Sequence, residues 1–154
     1  MASEGAVVVV GGGNAGVEAA VAASRHAGRV VLLTLCRSRI GELSCNPSIG
    51  GVAKGTLVRE IAALGGVMPH SADGAGIQFR MLNVSKGPAV WGPRKQQDER
   101  MYRRLQGKAL ESAGVEVVEA EALSLAGPTE SLVGVRTNRG IIEADAVVLA
   151  VGTF

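Results

Sequence analysis

Val7-Val8-Val9-Val10-Gly11-Gly12-Gly13-Asn14-Ala15-Gly16 passes from four branched apolar residues into a glycine cluster and on into the alanine-rich stretch Val17 to Ala23. A strand that hands over to a helix through G-x-G-x-x-G forms a cradle for a diphosphate. Gly11 permits the tight turn, Gly13 lets backbone approach the pyrophosphate, and Gly16 lets helix and strand pack closely. The helix N-terminus adds N–H donors and the positive end of its dipole. The pattern therefore predicts a dinucleotide ligand, held by Gly11, Gly12, Gly13, Asn14, Ala15 and Gly16. Spacing alone is weak, because 22 glycines in 154 residues produce it by chance in about 0.4 windows per chain. Placement strengthens it: a second apolar run, Val30-Val31-Leu32-Leu33, follows at the distance of a βαβ unit.

The chain has the length of one domain, 1–154, and its 47% hydrophobic content is ample for a single core. A formal charge of +2 is too small to advertise nucleic-acid binding by itself. Apolar stretches fall well short of the roughly 20 residues of a membrane span, and nothing basic precedes Val7 to mark a signal peptide. The expectation is a protein with no membrane contact, cytoplasmic, or in a mitochondrial or plastid matrix if eukaryotic. Cys36 and Cys45 form neither a C-x-x-C pair nor a cluster with His26 or His70, so no metal site is expected.

Strand 6–11, helix 14–27 and strand 29–35 make the opening unit, with Gly28 as the helix stop. From Cys36 to Pro93 the chain is broken by Pro47, Gly50-Gly51, Gly55, Gly65-Gly66, Pro69, Gly74, Gly76 and Gly87-Pro88. That leaves room for one helix, Thr56 to Leu64, inside loops long enough to build a binding surface. A long helix from Arg94 to Ala113 follows, ended by Gly114. Strand 115–119 leads into a small antiparallel excursion over 123–125, 133–137 and 140–143, and the last strand covers 146–151 before Gly152-Thr153-Phe154. An α/β fold is expected: a Rossmann-type FAD-binding domain with a parallel sheet, flanking helices and a small antiparallel β-meander. A meander before a strand ending in Gly-Thr favours FAD over a plain NAD site. Where an acidic residue usually holds the ribose, about 18 residues beyond Gly16, the chain offers the hydroxyl of Thr34.

Gly-Gly-Gly-Asn-Ala-Gly-Val-Glu-Ala-Ala (11–20), Leu-Leu-Thr (32–34), Ser-Cys-Asn-Pro-Ser-Ile-Gly-Gly-Val-Ala-Lys-Gly (44–55), Leu-Val-Arg-Glu-Ile-Ala-Ala-Leu-Gly-Gly (57–66), Leu-Asn-Val-Ser-Lys-Gly-Pro-Ala-Val (82–90) and the final Gly-Thr-Phe closely resemble the MnmG/GidA family. Its members are FAD-dependent tRNA uridine 5-carboxymethylaminomethyl modification enzymes. The Cys-Asn-Pro and Ser-Lys-Gly-Pro-Ala-Val blocks are more specific than the glycine loop. The resemblance implies a flavoenzyme that takes reducing equivalents from NADH and a one-carbon unit from methylenetetrahydrofolate, and modifies C5 of the wobble uridine in tRNA. It also implies an MnmE-type GTPase partner and a homodimer. Gly11 to Gly16 would hold the FAD pyrophosphate, Gly152 and Thr153 would border the flavin, and backbone near Ala122, at the end of the third sheet strand, would contact the adenine. Family members are about four times longer, so the chain resembles their N-terminal FAD-binding quarter. The second family cysteine, the NADH-binding insertion and the helical C-terminal region would lie beyond Phe154. Asn14 stands where the family usually has His, keeping a donor but losing a titratable ring. A further strand and helix would join from downstream, so an exposed sheet edge, weak flavin affinity and marginal folding are expected.

Cys45 matches the cysteine that the resemblance assigns to chemistry on the uracil ring. It lies in a glycine-rich loop near Lys54, and a neighbouring ammonium favours thiolate. Thiolate attack at C6 of uracil would make C5 nucleophilic. Cys36, at the end of the second strand, is expected to pack. On the helix after Pro93, Arg100, Arg104 and Lys108 fall at i, i+4 and i+8 and line one face, while Met101, Leu105 and Ala109 line a core face. The basic stripe suits an RNA backbone or plain solvent equally well. Two alternatives stay open on sequence: an inactive stand-alone FAD-binding module, and a flavin oxidoreductase acting on a small molecule.

Overall fold

The computed structural model describes residues 3–128, 131 and 133–152. In chain order its elements are β1 (Ser3–Val10), α1 (Asn14–Ala23), β2 (Ala27–Thr34), β3 (Ser48–Gly50), α2 (Lys54–Ala63), α3 (Val67–Gly74), β4 (Gly76–Leu82), β5 (Gly92–Gln97), α4 (Glu99–Ser112), β6 (Glu116–Glu119), β7 (Ala122–Ala126), β8 (Gly134–Thr137), β9 (Gly140–Glu143) and β10 (Ala146–Leu149). The chain divides into two compact units. One combines the residues up to Gly41 with those from Gly107 onward, and the other is Glu42–Gln106.

The first unit is built on a four-stranded parallel sheet in the order β10-β1-β2-β6. Val8, Val9, Val31, Leu32 and Leu33 are each at most 1% exposed, because a parallel strand in mid-sheet is covered on both faces and gains from apolar residues at every position. Val8, Val10, Val31 and Leu33 form a cluster with Val135 of β8 and Ala144, with Ile142 of β9 packed against it. The antiparallel meander β7-β8-β9 thus covers that sheet face. α1 lies on the opposite face, where the Cδ1 of Leu32 approaches Gly16. Each such buried valine or leucine contributes about 1.5–3 kcal/mol relative to exposure. α1 ends at Ala23, where Ser24 donates its N–H to Ala20 and its hydroxyl to Val21. Gly28 therefore belongs to β2 rather than stopping the helix, and β10 forms one edge of the parallel sheet.

The second unit differs most from the sequence expectation. The segment from Cys36 to Pro93 is not one helix among loops: it contains α2, α3 and an antiparallel sheet ordered β3-β5-β4. Several of its glycines and prolines fall at element ends or in first turns: Gly50 ends β3, Gly74 ends α3 and Gly76 opens β4. Pro69 sits in the first turn of α3, where its missing N–H has no intrahelical partner to lose. The helix expected from Arg94 begins only at Glu99, since Gly92–Gln97 pairs with both neighbours as the central strand β5. Asp98 starts the helix by accepting the Met101 N–H at 2.9 Å. The buried face of α4 also shifts by one residue: Tyr102, Gln106 and Leu110 are at most 1% exposed, whereas Met101 is exposed. Tyr102 packs with Ile49, Ala72 and Ala75.

Candidate functional site

Gly11 to Gly16 joins β1 to α1 at the carboxyl ends of the parallel strands, the position where open α/β sheets bind ligands. The turn is fixed from several sides. Gly11 donates its N–H to Leu33 of β2 at 2.8 Å, Ala150 donates to Val10 at 2.8 Å, and Gly41 donates to the Gly12 carbonyl at 2.9 Å. Gly11 has φ +113°, and a Cβ there would lie 2.2 Å from the Ala150 carbonyl oxygen. A Cβ on Gly16 would lie 1.8 Å from the Gly11 oxygen, and one on Gly12 would lie 2.6 Å from Oγ1 of Thr34. Around Gly13 a Cβ would meet nothing within 4 Å among the described residues. Three glycines are therefore required by packing, while the fourth opens toward whatever occupies the cradle. Gly13 also brings no capping side chain to α1, and the first turn, Asn14 to Val17, carries no acid. An anion meets a positive helix end there without a competing carboxylate.

Thr34 is buried, with Oγ1 turned toward Gly12 and within 3.4 Å of the Cys36 N–H. Ala122 does not end the third sheet strand, which stops at Glu119; it opens β7 and pairs with Thr137. Gly152 follows β10 with φ +82°, and Thr153 lies outside the described residues. The strand ends also gather residues that the spacing did not reveal. Glu119 accepts the Arg37 N–H at 2.7 Å, and the Arg37 guanidinium donates to the Val117 carbonyl on the edge strand β6. Cys36, expected to pack, is half-buried. Its Sγ lies 3.1 Å from the Ser38 hydroxyl. That hydroxyl, and then the Ser38 N–H, hold the Cys36 thiol below its ordinary pKa, opposed by desolvation and the Glu119 carboxylate.

In the second unit Cys45 is exposed, three residues before β3. Its loop is held by a polar chain. The Ser48 hydroxyl donates to Oδ1 of Asn46 and accepts from Nε of Arg94 at 3.0 Å, while Lys54 directs its ammonium to the Ser48 carbonyl at 3.4 Å. Arg100, Arg104 and Lys108 are exposed along α4, as their spacing predicts. Among the described residues no cluster of three or more His, Cys, Asp or Glu could hold a metal, and no helix is long and apolar enough to cross a membrane.

Comparison with known proteins agrees with this architecture. The profile of the family "Glucose inhibited division protein A" matches residues 6–154. The tRNA uridine 5-carboxymethylaminomethyl modification enzyme MnmG of Aquifex aeolicus is 47% identical over 150 residues, covering 96% of this chain and 24% of the relative. The MnmG of Salinibacter ruber is 49% identical over 154 residues, covering 96% and 23%. The crystal structure of Aquifex aeolicus GidA superposes with a TM-score of 0.89 at 46% identity, over 98% of this chain and 25% of that one. The chain thus spans about a quarter of the length of the relatives it matches. With its parallel sheet, glycine turn and meander in place, and with the family profile matching nearly end to end, the chain belongs to the glucose inhibited division protein A (GidA) family.

Proposed function

We propose that this chain is the FAD-binding part of a flavoenzyme that modifies C5 of the wobble uridine of tRNA, and that residues 1–154 act together as its Rossmann-type domain. The observation that carries the reading is the glycine turn, closed wherever backbone packs on backbone and open at Gly13. Its residues fit a dinucleotide diphosphate: Gly11, Gly12, Gly13, Asn14, Ala15 and Gly16 hold it against the α1 N-terminus. Thr34 supports the loop from beneath Gly12, backbone at Ala122 faces the adenine end, and Gly152 and Thr153 border the flavin. Bound FAD supplies two-electron redox chemistry, with NADH as reductant in the complete enzyme. The relatives in Aquifex aeolicus and Salinibacter ruber are named as tRNA uridine modification enzymes, which supports the substrate.

Cys45 is the covalent catalyst in this reading. Its exposed thiolate adds to C6 of the uracil ring, C5 becomes nucleophilic, and the thiolate departs once C5 has been substituted and loses its proton. Arg100, Arg104 and Lys108 contact phosphates of the RNA. The complete enzyme draws its one-carbon unit from methylenetetrahydrofolate, works with an MnmE-type GTPase as a homodimer, and resides in the cytoplasm.

Titration of the apo chain with FAD, followed by flavin fluorescence and calorimetry, tests the reading. Saturable binding is expected, with a yellow complex that dithionite bleaches. Absence of any binding heat at millimolar FAD overturns the proposal. Retention of unmodified tRNA, reduced when Arg100, Arg104 and Lys108 are all changed to Glu, tests the RNA contact separately.

A further inference from the structure

One face of the β3-β5-β4 sheet has no part in the reading above. The ladder sets Arg94 of β5 opposite Arg80 of β4 and Gly50 of β3, and sets Gln96 opposite Gln78 and Ser48. Residues paired in this way share a sheet face. The alternate positions, Ile49, Lys95 and Phe79, belong to the other face, where Lys95 reaches Asp73 of α3 at 3.0 Å. Gln78, Arg80, Arg94 and Gln96 are all exposed.

Arg80 and Arg94 stand directly opposite each other, and like charges so placed destabilise a sheet. Among the described residues neither has a carboxylate partner. Arg94 is also anchored: its Nε is bound to the hydroxyl of Ser48, itself 4% exposed, which orients the guanidinium while the rest of the group stays exposed. Lys54 brings a third cation to the Ser48 carbonyl. Ser48 lies three residues beyond Cys45 in the loop that the Arg94 link braces.

We propose that this face binds the phosphodiester backbone of an RNA strand, holding the nucleotides beside the one presented to Cys45; the assignment rests on the Cys45 reading given under Proposed function. A phosphate placed between the two guanidiniums removes their repulsion and accepts forked hydrogen bonds from both. Gln78 and Gln96 add neutral donors and acceptors for ribose and phosphate oxygens. No aromatic residue occupies a paired position on this face, so contact runs through the backbone of the strand, positioning it without reading its bases. Two guanidiniums on neighbouring strands, with Lys54 of α2 reaching the Ser48 carbonyl, suit a strand of phosphates better than the single diphosphate already matched by the glycine turn.

Binding of a short uridine-containing RNA hairpin to the intact chain, measured by fluorescence anisotropy over a salt series, tests the proposal. Arg80→Ala and Arg94→Gln should each flatten the slope of log K against log salt by about 0.7, and together weaken binding about tenfold at physiological salt. Arg94→Lys, which keeps the charge, should keep the slope. Arg80→Ala, which removes the repulsion, should not lower the melting temperature and should leave the flavin titration unchanged, so a loss of affinity there is not a loss of fold. Unchanged affinity and slope in Arg80→Ala and Arg94→Gln overturn the proposal while leaving the functional reading intact. A parent chain that binds no RNA overturns the proposal and the RNA part of that reading together, and the flavin titration still judges the remainder. Stoichiometric displacement of the RNA by FAD or inorganic pyrophosphate assigns the face to a cofactor diphosphate and also overturns it.

Discussion

Gly16 rests on Gly11: a methyl group on the first would fall 1.8 Å from the carbonyl oxygen of the second, whereas a methyl on Gly13, three residues earlier in the same turn, would touch nothing among the described residues. The two substitutions separate folding from binding. Gly16→Ala forces backbone apart, so both melting temperature and FAD affinity should fall. Gly13→Ala should cost at most about 1 kcal/mol of stability, the penalty for alanine at an N-cap, yet obstruct the diphosphate. Thermal melts and FAD titrations of both variants check this, and unimpaired flavin binding by Gly13→Ala contradicts the cradle.

Gln106 is fully buried with its amide nitrogen donating to the Ser71 hydroxyl at 2.9 Å, and among the described residues its Oε1 has no partner. Ser71→Ala removes the bond the amide makes to Ser71, and should cost about 1–3 kcal/mol, the penalty for stranding a buried polar group. Pairing Ser71→Ala with Gln106→Met removes the stranded amide while keeping its volume, and should recover most of that loss. A double-mutant cycle by urea denaturation measures the coupling.

The Cys36 thiol, held below its ordinary pKa chiefly by the Ser38 hydroxyl, should alkylate at lower pH than a free cysteine. In a Cys45→Ser background, the pH–rate curve for iodoacetamide should move to higher pH when Ser38 becomes Ala. Because the folded value is depressed, the associated stability is complete above the unfolded thiol's pKa. It is lost as pH falls through the folded value. An unmoved curve removes Ser38 as the cause.

Asp98, not the residues after Pro93, sets where α4 begins, through its bond to the Met101 N–H. Asp98→Ala should destabilise the chain by about 1 kcal/mol, and Asp98→Asn should retain most of the cap. Circular dichroism melts of the two variants test the assignment.

How the sequence deceived is clearest between Arg94 and Gln97. The basic residues there continue smoothly into those of α4, so composition alone reads a single helix. Pairing with Ser48–Gly50 and Gly76–Leu82 decides for a strand, and no local signal announces partners this distant in sequence. The same holds for Ser48, whose bond to Arg94 spans 46 positions, and for Met101, exposed because the core meets α4 at Tyr102 instead.

The sequence by itself determined the β1-turn-α1 unit, the flanking apolar strand and the meander, because each depends on short-range rules: branched apolar runs, glycine where backbone touches backbone, and turn residues between strands. It also put Arg100, Arg104 and Lys108 on one helical face, since helical spacing needs only the local backbone. Tertiary structure alone decided that glycines and prolines between Cys36 and Pro93 punctuate a second sheet, that Arg80 meets Arg94, and that Cys36 answers to Ser38 and Glu119. Those outcomes come from pairing and packing between segments far apart in the chain, where burial and register outweigh what any neighbouring residue prefers.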